Sequence, residues 1–281
     1  MANYQKVEAI KSEGSISAKA TGLRQAFGVR HGETISLVGG GGKTALMFAL
    51  ACELAATGKS VITTTTTRIL EPSAPETFLI LEPDENKMMA LLLRELDKHG
   101  HITLATERLP LGKLKGVSPE LINRLAELRQ ASYIIVEADG AARKPLKAPN
   151  ATEPVIPPTT SLVIPVVGID ALACQLIQKD VFRPEIISRL TGLPLGEVVS
   201  TDAVATLITH AEGIIKGSPT HARIIPLINK VDLDKGLLKA ENLAHKILKK
   251  QHPQIERVVL AQMRLPQPVA KIFFSGTKQE R

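Results

Sequence analysis

An apolar run, Ile35-Ser36-Leu37-Val38, leads into Gly39-Gly40-Gly41-Gly42-Lys43-Thr44, and a helix-like stretch, Ala45 to Ala56, follows at once. Strand, glycine turn, Lys-Thr and helix together make a phosphate-binding arrangement. Glycines let successive backbone N–H groups turn inward around a phosphate with no Cβ in the way. The first-turn amides of the helix add partial positive charge. Lys43 is placed to reach the β- and γ-phosphates, and the Thr44 hydroxyl to ligate Mg²⁺. The usual spacing, G-x-x-x-x-G-K-[ST], asks for a glycine where Leu37 stands; Gly39, Gly40, Gly41 and Gly42 supply the rest. A flexible turn is the competing reading, and the Lys-Thr pair between a strand and a helix weighs against it.

The chain of 281 residues suits one large α/β domain or two small ones. Tryptophan is absent and aromatics are 3%, so the core must be built from Leu, Ile, Val and Ala, as in a parallel sheet covered by helices. The net charge is +7, but the basic residues are scattered, with few aromatics between them for base stacking, which argues against nucleic acid. Cys52 and Cys174 offer neither metal spacing nor a disulfide framework, and Cys52 is expected in the core of the helix after the glycine loop. With no apolar run long enough for a membrane span and no signal-peptide core, a cytoplasmic protein is expected.

Residues 1–30 read as a polar lead-in, of which Leu23, Phe27 and Val29 pack on the domain. A second strand begins at Lys59-Ser60-Val61-Ile62 and runs into Thr63 to Thr67 and Arg68. The threonines are either a plain strand extension or, with Arg68, groups facing the nucleotide, its metal or a second substrate, because ligands sit beyond the carboxyl ends of strands in open α/β sheets. Further strands are read at Phe78 to Leu81 and Ile102 to Ala105, and helices from Asp84 to Lys98 and from Ser118 to about Gln130.

Tyr133-Ile134-Ile135-Val136-Glu137-Ala138-Asp139-Gly140 is a buried strand ending in two carboxylates and a glycine. In a phosphate-loop protein an acidic residue here meets Mg²⁺, and Glu137 or Asp139 orients the attacking water. Arg143, Lys144 and Lys147 in the loop that follows are either solvated or neutralise phosphate charge. After a strand from Thr160 to Val167, residues 170–220 read as a small helical insert. Then Arg223 to Ile228 leads into Asn229-Lys230-Val231-Asp232, the Asn-Lys-x-Asp pattern that reads guanine in GTP-binding proteins. Asp232 accepts from the paired donor edge of guanine, which adenine lacks. The Lys230 stem covers the ring, and Asn229 ties this loop to others. A helix from Lys235 to Lys250 and a last strand from Arg257 to Ala261 follow, with residues 275–281 as a tail.

In these stretches the chain resembles the YqeC-like family, P-loop proteins described as accessory proteins for selenium-dependent molybdenum hydroxylases or as selenium-cofactor biosynthesis proteins. The residues that carry the resemblance are Val38 to Thr44, Thr63 to Thr67, Val136 to Gly140 with Lys147-Ala148-Pro149, Val167 to Asp170, Arg183-Pro184-Glu185, His210 to Gly213 and Asn229 to Asp232. The resemblance implies help in maturing a selenium-containing molybdenum centre, with the hydroxylase or a cofactor-maturation protein as partner. Related metallochaperone-type NTPases often work as dimers and carry a lysine where Val38 stands, so a homodimer is implied without that lysine.

The expectations are therefore an α/β, three-layer, P-loop NTPase-like fold over 31–274, with a mostly parallel sheet and the 170–220 insert. The function expected is Mg²⁺-dependent binding and slow hydrolysis of GTP or ATP. Gly39 to Thr44, Asn229, Lys230 and Asp232 would hold nucleotide, Thr44 and Asp139 the metal, and Lys43, Glu137 and Asp139 would carry the chemistry. A nucleotide-dependent transferase acting on a cofactor precursor, and a non-hydrolysing nucleotide-switched binding protein, are the alternatives. No nucleic acid and no membrane is expected as partner.

Overall fold

A computed structural model describes residues 10–12, 15–18, 22–72, 76–128 and 131–275. In chain order its elements begin with β1 (Ile10–Ser12), β2 (Ser15–Ala18), α1 (Leu23–Ala26), β3 (Thr34–Gly39), α2 (Lys43–Ala55), β4 (Val61–Thr65), β5 (Arg68–Leu70) and β6 (Phe78–Leu81). Next come α3 (Glu85–Glu95), β7 (His101–Ala105), β8 (Glu107–Leu109), β9 (Lys113–Lys115), α4 (Pro119–Glu127), β10 (Tyr133–Glu137) and β11 (Thr160–Gly168). A 3₁₀ turn (Ile169–Ala173), α5 (Pro184–Thr191), α6 (Thr201–Thr209), β12 (Arg223–Ile224), β13 (Leu227–Asn229), α7 (Gly236–Lys249), β14 (Arg257–Ala261) and β15 (Val269–Ser275) complete it.

Twelve strands make one sheet, in the order β1-β2-β15-β14-β13-β11-β3-β10-β4-β7-β6, with β12 against β11. Every pairing from β14 across to β6 is parallel. At one edge the pairings β14–β15, β15–β2 and β2–β1 are antiparallel. A parallel sheet needs cover on both faces, and alternation along the strands provides it. Ile35 and Leu37 of β3 and Tyr133 and Ile135 of β10 pack with Leu46, Leu50 and Leu54 of α2 and Leu23 of α1. From the opposite face, Ile134 and Val136 meet α3 and α4, while Val38 and Val163 meet α5, α6 and α7. The result is the expected three-layer α/β architecture. The helices of 170–220 belong to the same apolar cluster as α7 and form part of the second helical layer.

Helix starts follow their caps. Asp84 accepts from the amides of Asn86 and Lys87, and Ser118 from that of Leu121, with Pro119 at the first helical position. Leu23, Phe27 and Val29 are buried as expected. Several expectations need correction. Cys52 is exposed, because α2 buries Leu46, Met47, Leu50, Ala51 and Leu54 and residue 52 falls on its outer side. The threonine strand stops at Thr65. The last strand is β15 rather than β14, and it joins the sheet to β2. A second sheet of three-residue strands, β5-β9-β8, had no counterpart in the sequence pattern. Gln130, residues 1–9 of the lead-in and all of the tail after Ser275 lie outside the described residues.

Candidate functional site

The central strand is β3, between β10 and β11. The chain leaves β3 through α2 to β4 on one side and later crosses from β10 to β11 on the other, so the carboxyl end of β3 lies at the kind of crevice where α/β sheets take ligands. Leu37, the position of the missing glycine, is a fully buried strand residue. β3 runs on to Gly39 and α2 begins at Lys43, which leaves only Gly40 to Gly42 to make the turn. The turn is tightly enclosed. At Gly41, with φ +84°, a Cβ would stand 2.2 Å from the Gly168 nitrogen; at Gly42, with φ +134°, it would stand 2.3 Å from Asn229 Nδ2. Neither backbone shape nor space admits a side chain at these two positions.

The loop amides are not all free to meet an anion. Gly39 N–H donates to Asp139 Oδ2 (2.9 Å), Gly40 N–H to the Val166 carbonyl (2.8 Å) and Gly41 N–H to the Lys144 carbonyl (3.0 Å). The first bond closing α2 runs from Leu46 N–H to the Gly42 carbonyl. The amides of Lys43, Thr44 and Ala45 precede it and are the orphan donors of the helix start.

The Lys43 ammonium donates to the Gly39 carbonyl at 2.7 Å and lies 3.1 Å from Asp139 Oδ1 and 3.5 Å from Glu137 Oε1. Burial alone would lower its pKa, but the Asp139 and Glu137 carboxylates outweigh burial and hold it above the ordinary lysine value. Burial pushes the Glu137 carboxyl up, against the pull of Lys43 and of the Thr44 hydroxyl, which donates to Glu137 Oε2 at 2.7 Å. The structure thus brings Lys43, Thr44, Glu137 and Asp139 together. It separates the roles of the two carboxylates: Glu137 faces the Thr44 hydroxyl, whereas Asp139 accepts from Gly39 N–H and ion-pairs with Lys147 (3.0 Å) as well as Lys43.

Lys147 is not on a mobile rim. It is fully buried, donates to the Gly140 carbonyl (2.7 Å) and bridges Asp139 to Glu153, each at 3.0 Å. Arg183, the left-handed residue at the start of α5, pairs with Glu153 at 2.7 Å and donates to the Ala148 carbonyl. Of the two readings of Lys147, the solvated one does not hold: its ammonium is buried and held by Asp139, Glu153 and the Gly140 carbonyl. Arg143 is exposed and Lys144 half-buried, so those two remain on the loop surface. Glu153 went unnoticed in the sequence, because it lies in an irregular Pro-rich stretch with no periodicity to mark it.

The third motif does reach the loop. Asn229 is buried at the end of β13; its Nδ2 donates to the Gly41 carbonyl (2.9 Å) and its Oδ1 accepts from Met263 N–H (3.2 Å). Lys230, with φ +65°, pairs with Asp170 at 2.5 Å, and Asp232 is exposed. The threonine run is mostly turned to protein partners. Thr63 bonds His101 and Thr103, and Thr64, Thr65 and Thr66 donate to the carbonyls of Leu104, Glu137 and Val155. Those hydroxyls tie neighbouring strands and loops together, in line with the plain strand-extension reading.

Among the described residues no three His, Cys, Asp or Glu side chains cluster as a metal cage, and no helix is long and apolar enough to cross a membrane. The Thr44 hydroxyl beside the Glu137 carboxylate is the donor set that fits Mg²⁺, which takes one or two protein oxygens and fills the rest with phosphate and water.

Two comparisons bear on this chain. A family model described as "YqeC protein" matches residues 35–185, which span the glycine loop, the threonine run, Glu137, Asp139, Lys147 and Arg183. A protein of Escherichia coli (strain K12), named "Uncharacterized protein YqeC", is 30% identical over 239 residues, or 85% of this chain and 91% of that protein.

Proposed function

The chain belongs to the YqeC family, and from its site we propose that it is a Mg²⁺-dependent nucleotide-binding protein that prefers GTP and hydrolyses it slowly. The observation that carries the proposal is the convergence of Lys43, Thr44 and Glu137 at the start of α2, on the carboxyl end of the central strand. The amides of Lys43, Thr44 and Ala45 and the Lys43 ammonium would hold the terminal phosphates. Thr44 and Glu137 would hold Mg²⁺, which when bound supplies charge neutralisation on the phosphate oxygens. Asp139 keeps the Gly39 amide and Lys43 in place. Asn229 seats the base-reading segment against the loop, and exposed Asp232 is open to a guanine edge.

The setting is proposed from the resemblance: action in the cytoplasm on the maturation of a selenium-dependent molybdenum hydroxylase, with that enzyme or another maturation protein as partner. Val38 is buried in β3, so a self-association of this chain would not use a lysine arm from that position.

Phosphate release from GTP with Mg²⁺ tests the chemical part. Glu137→Gln should lower turnover at least tenfold while GTP still binds; equal turnover in the variant would remove Glu137 from the chemistry. Loss of hydroxylase activity on deletion of the gene, restored by the wild-type gene and not by Lys43→Ala, tests the setting.

A further inference from the structure

A groove of about 420 Å³ lies where the end of β4 meets the small sheet, within the roughly 300–1,000 Å³ of small-molecule sites. Thr67, Arg68, Leu109, Lys115, Gly116 and Ser118 contribute to its walls. Two backbone bonds close its seam: Gly116 N–H donates to the Thr67 carbonyl (3.1 Å) and Val117 N–H to the Thr65 carbonyl (2.9 Å). A Cβ at Gly116 would stand 1.7 Å from the Thr65 oxygen, so the contact demands glycine.

The charges of the groove are unequal in their commitments. Lys115 is paired with Glu107 at 2.9 Å. Arg68 is exposed, and among the described residues no carboxylate pairs with it. An uncommitted guanidinium is a planar donor fork that fits an oxyanion. Leu109, Val117 and Pro119 give the same groove an apolar side.

Its position links it to the candidate site. The Glu137 main-chain carbonyl accepts from Thr65 Oγ1 (2.6 Å) and from Thr66 N–H (3.2 Å). Ile69 of β5 and Leu114 of β9 pack in the cluster that holds α2, whereas Arg68 and Lys115, next to them along the strands, stand on the other face of the small sheet, and that face lines the groove. Thr66, which also lines the groove, joins it to the end of β10.

We infer that this groove binds a second small molecule, one that carries a carboxylate or phosphate on an apolar body and is held through Arg68. Its standing as a second ligand rests on the nucleotide reading of the glycine loop; binding in the groove does not.

Amide resonances of the ¹⁵N-labelled full chain test this, with benzoate and inorganic phosphate as probes. Saturable shifts at Thr67, Gly116 and Ser118 are expected from at least one probe. They should be the same in Lys43→Ala and weakened at least tenfold in Arg68→Ala, whose remaining spectrum should match the wild type. The probe that binds more tightly identifies the head group. No saturable shift from either probe, or undiminished binding in Arg68→Ala, would overturn the inference. Absence of GTP-induced shifts at Gly42 to Ala45 would instead sink the nucleotide reading and leave the groove standing.

Discussion

Asn229 and Gly41, 188 residues apart, are joined by a 2.9 Å hydrogen bond from the Asn229 amide to the Gly41 carbonyl. The same side chain accepts from Met263 N–H, so one buried amide fastens the glycine loop to the segments after β13 and β14. Asn229→Ala should leave both backbone groups without this partner and cost about 1–3 kcal/mol of stability. Urea unfolding measures that cost. The nucleotide reading adds a loss of GTP affinity larger than the loss of stability explains, because the Asp232 segment would no longer be seated on the loop.

Lys147 gives a second prediction. It is fully buried with acceptors on Asp139, Glu153 and Gly140. Removing one partner of a buried ionic group strands the others, at roughly 3–5 kcal/mol. Lys147→Met should therefore be among the most destabilising single changes in the chain, despite its near-equal volume. A change below about 1 kcal/mol in urea unfolding, within the range of exposed ion pairs, would mean that the network is not continuous in solution.

Two glycines that flank the same crevice should respond oppositely to alanine. Gly41 has φ +84° and backbone atoms of Gly168 within 2.2–2.7 Å of the would-be Cβ, so Gly41→Ala must distort the loop. At Gly140 a Cβ would meet nothing within 4 Å, so Gly140→Ala should change stability by no more than about 0.5 kcal/mol. Thermal melts of both variants check the contrast, and GTP titration should show loss only for Gly41→Ala.

His101 makes stability depend on pH. Burial, opposed by a hydrogen bond to the Glu76 carbonyl, holds its pKa below the ordinary 6.5, and its ring also bonds Thr63. The unfolded chain then binds the proton more readily than the folded one. The contribution is complete above pH 6.5 and is lost as pH falls below that value. Unfolding free energies at pH 7.5 and pH 5.5 should differ more in the wild type than in His101→Gln; an equal difference would place the sensitivity elsewhere.

The long, fully buried strands and the capped helices were legible because their patterns persist over many residues: β3, β10, α3, α4 and α7 fall within a few residues of their sequence boundaries. The glycine loop was legible too, since only glycines fit where Gly168 and Asn229 press on it. Less visible was the division of labour between Glu137 and Asp139, which depends on which face of the crevice each reaches. The burial of Lys147 depended on Glu153 and Arg183, groups that no local spacing connects to it. Three-residue strands such as β5, β8 and β9 carry too little alternation to be seen, and the threonine hydroxyls found partners in strands far away in the chain.

Calorimetric titration of the full chain with GTP and with ATP, each with and without Mg²⁺, tests the central claim most directly. The site as described predicts saturable, Mg²⁺-dependent binding with GTP tighter than ATP, and loss of that binding in Lys43→Ala. Binding of neither nucleotide to the folded protein, with or without Mg²⁺, would contradict it.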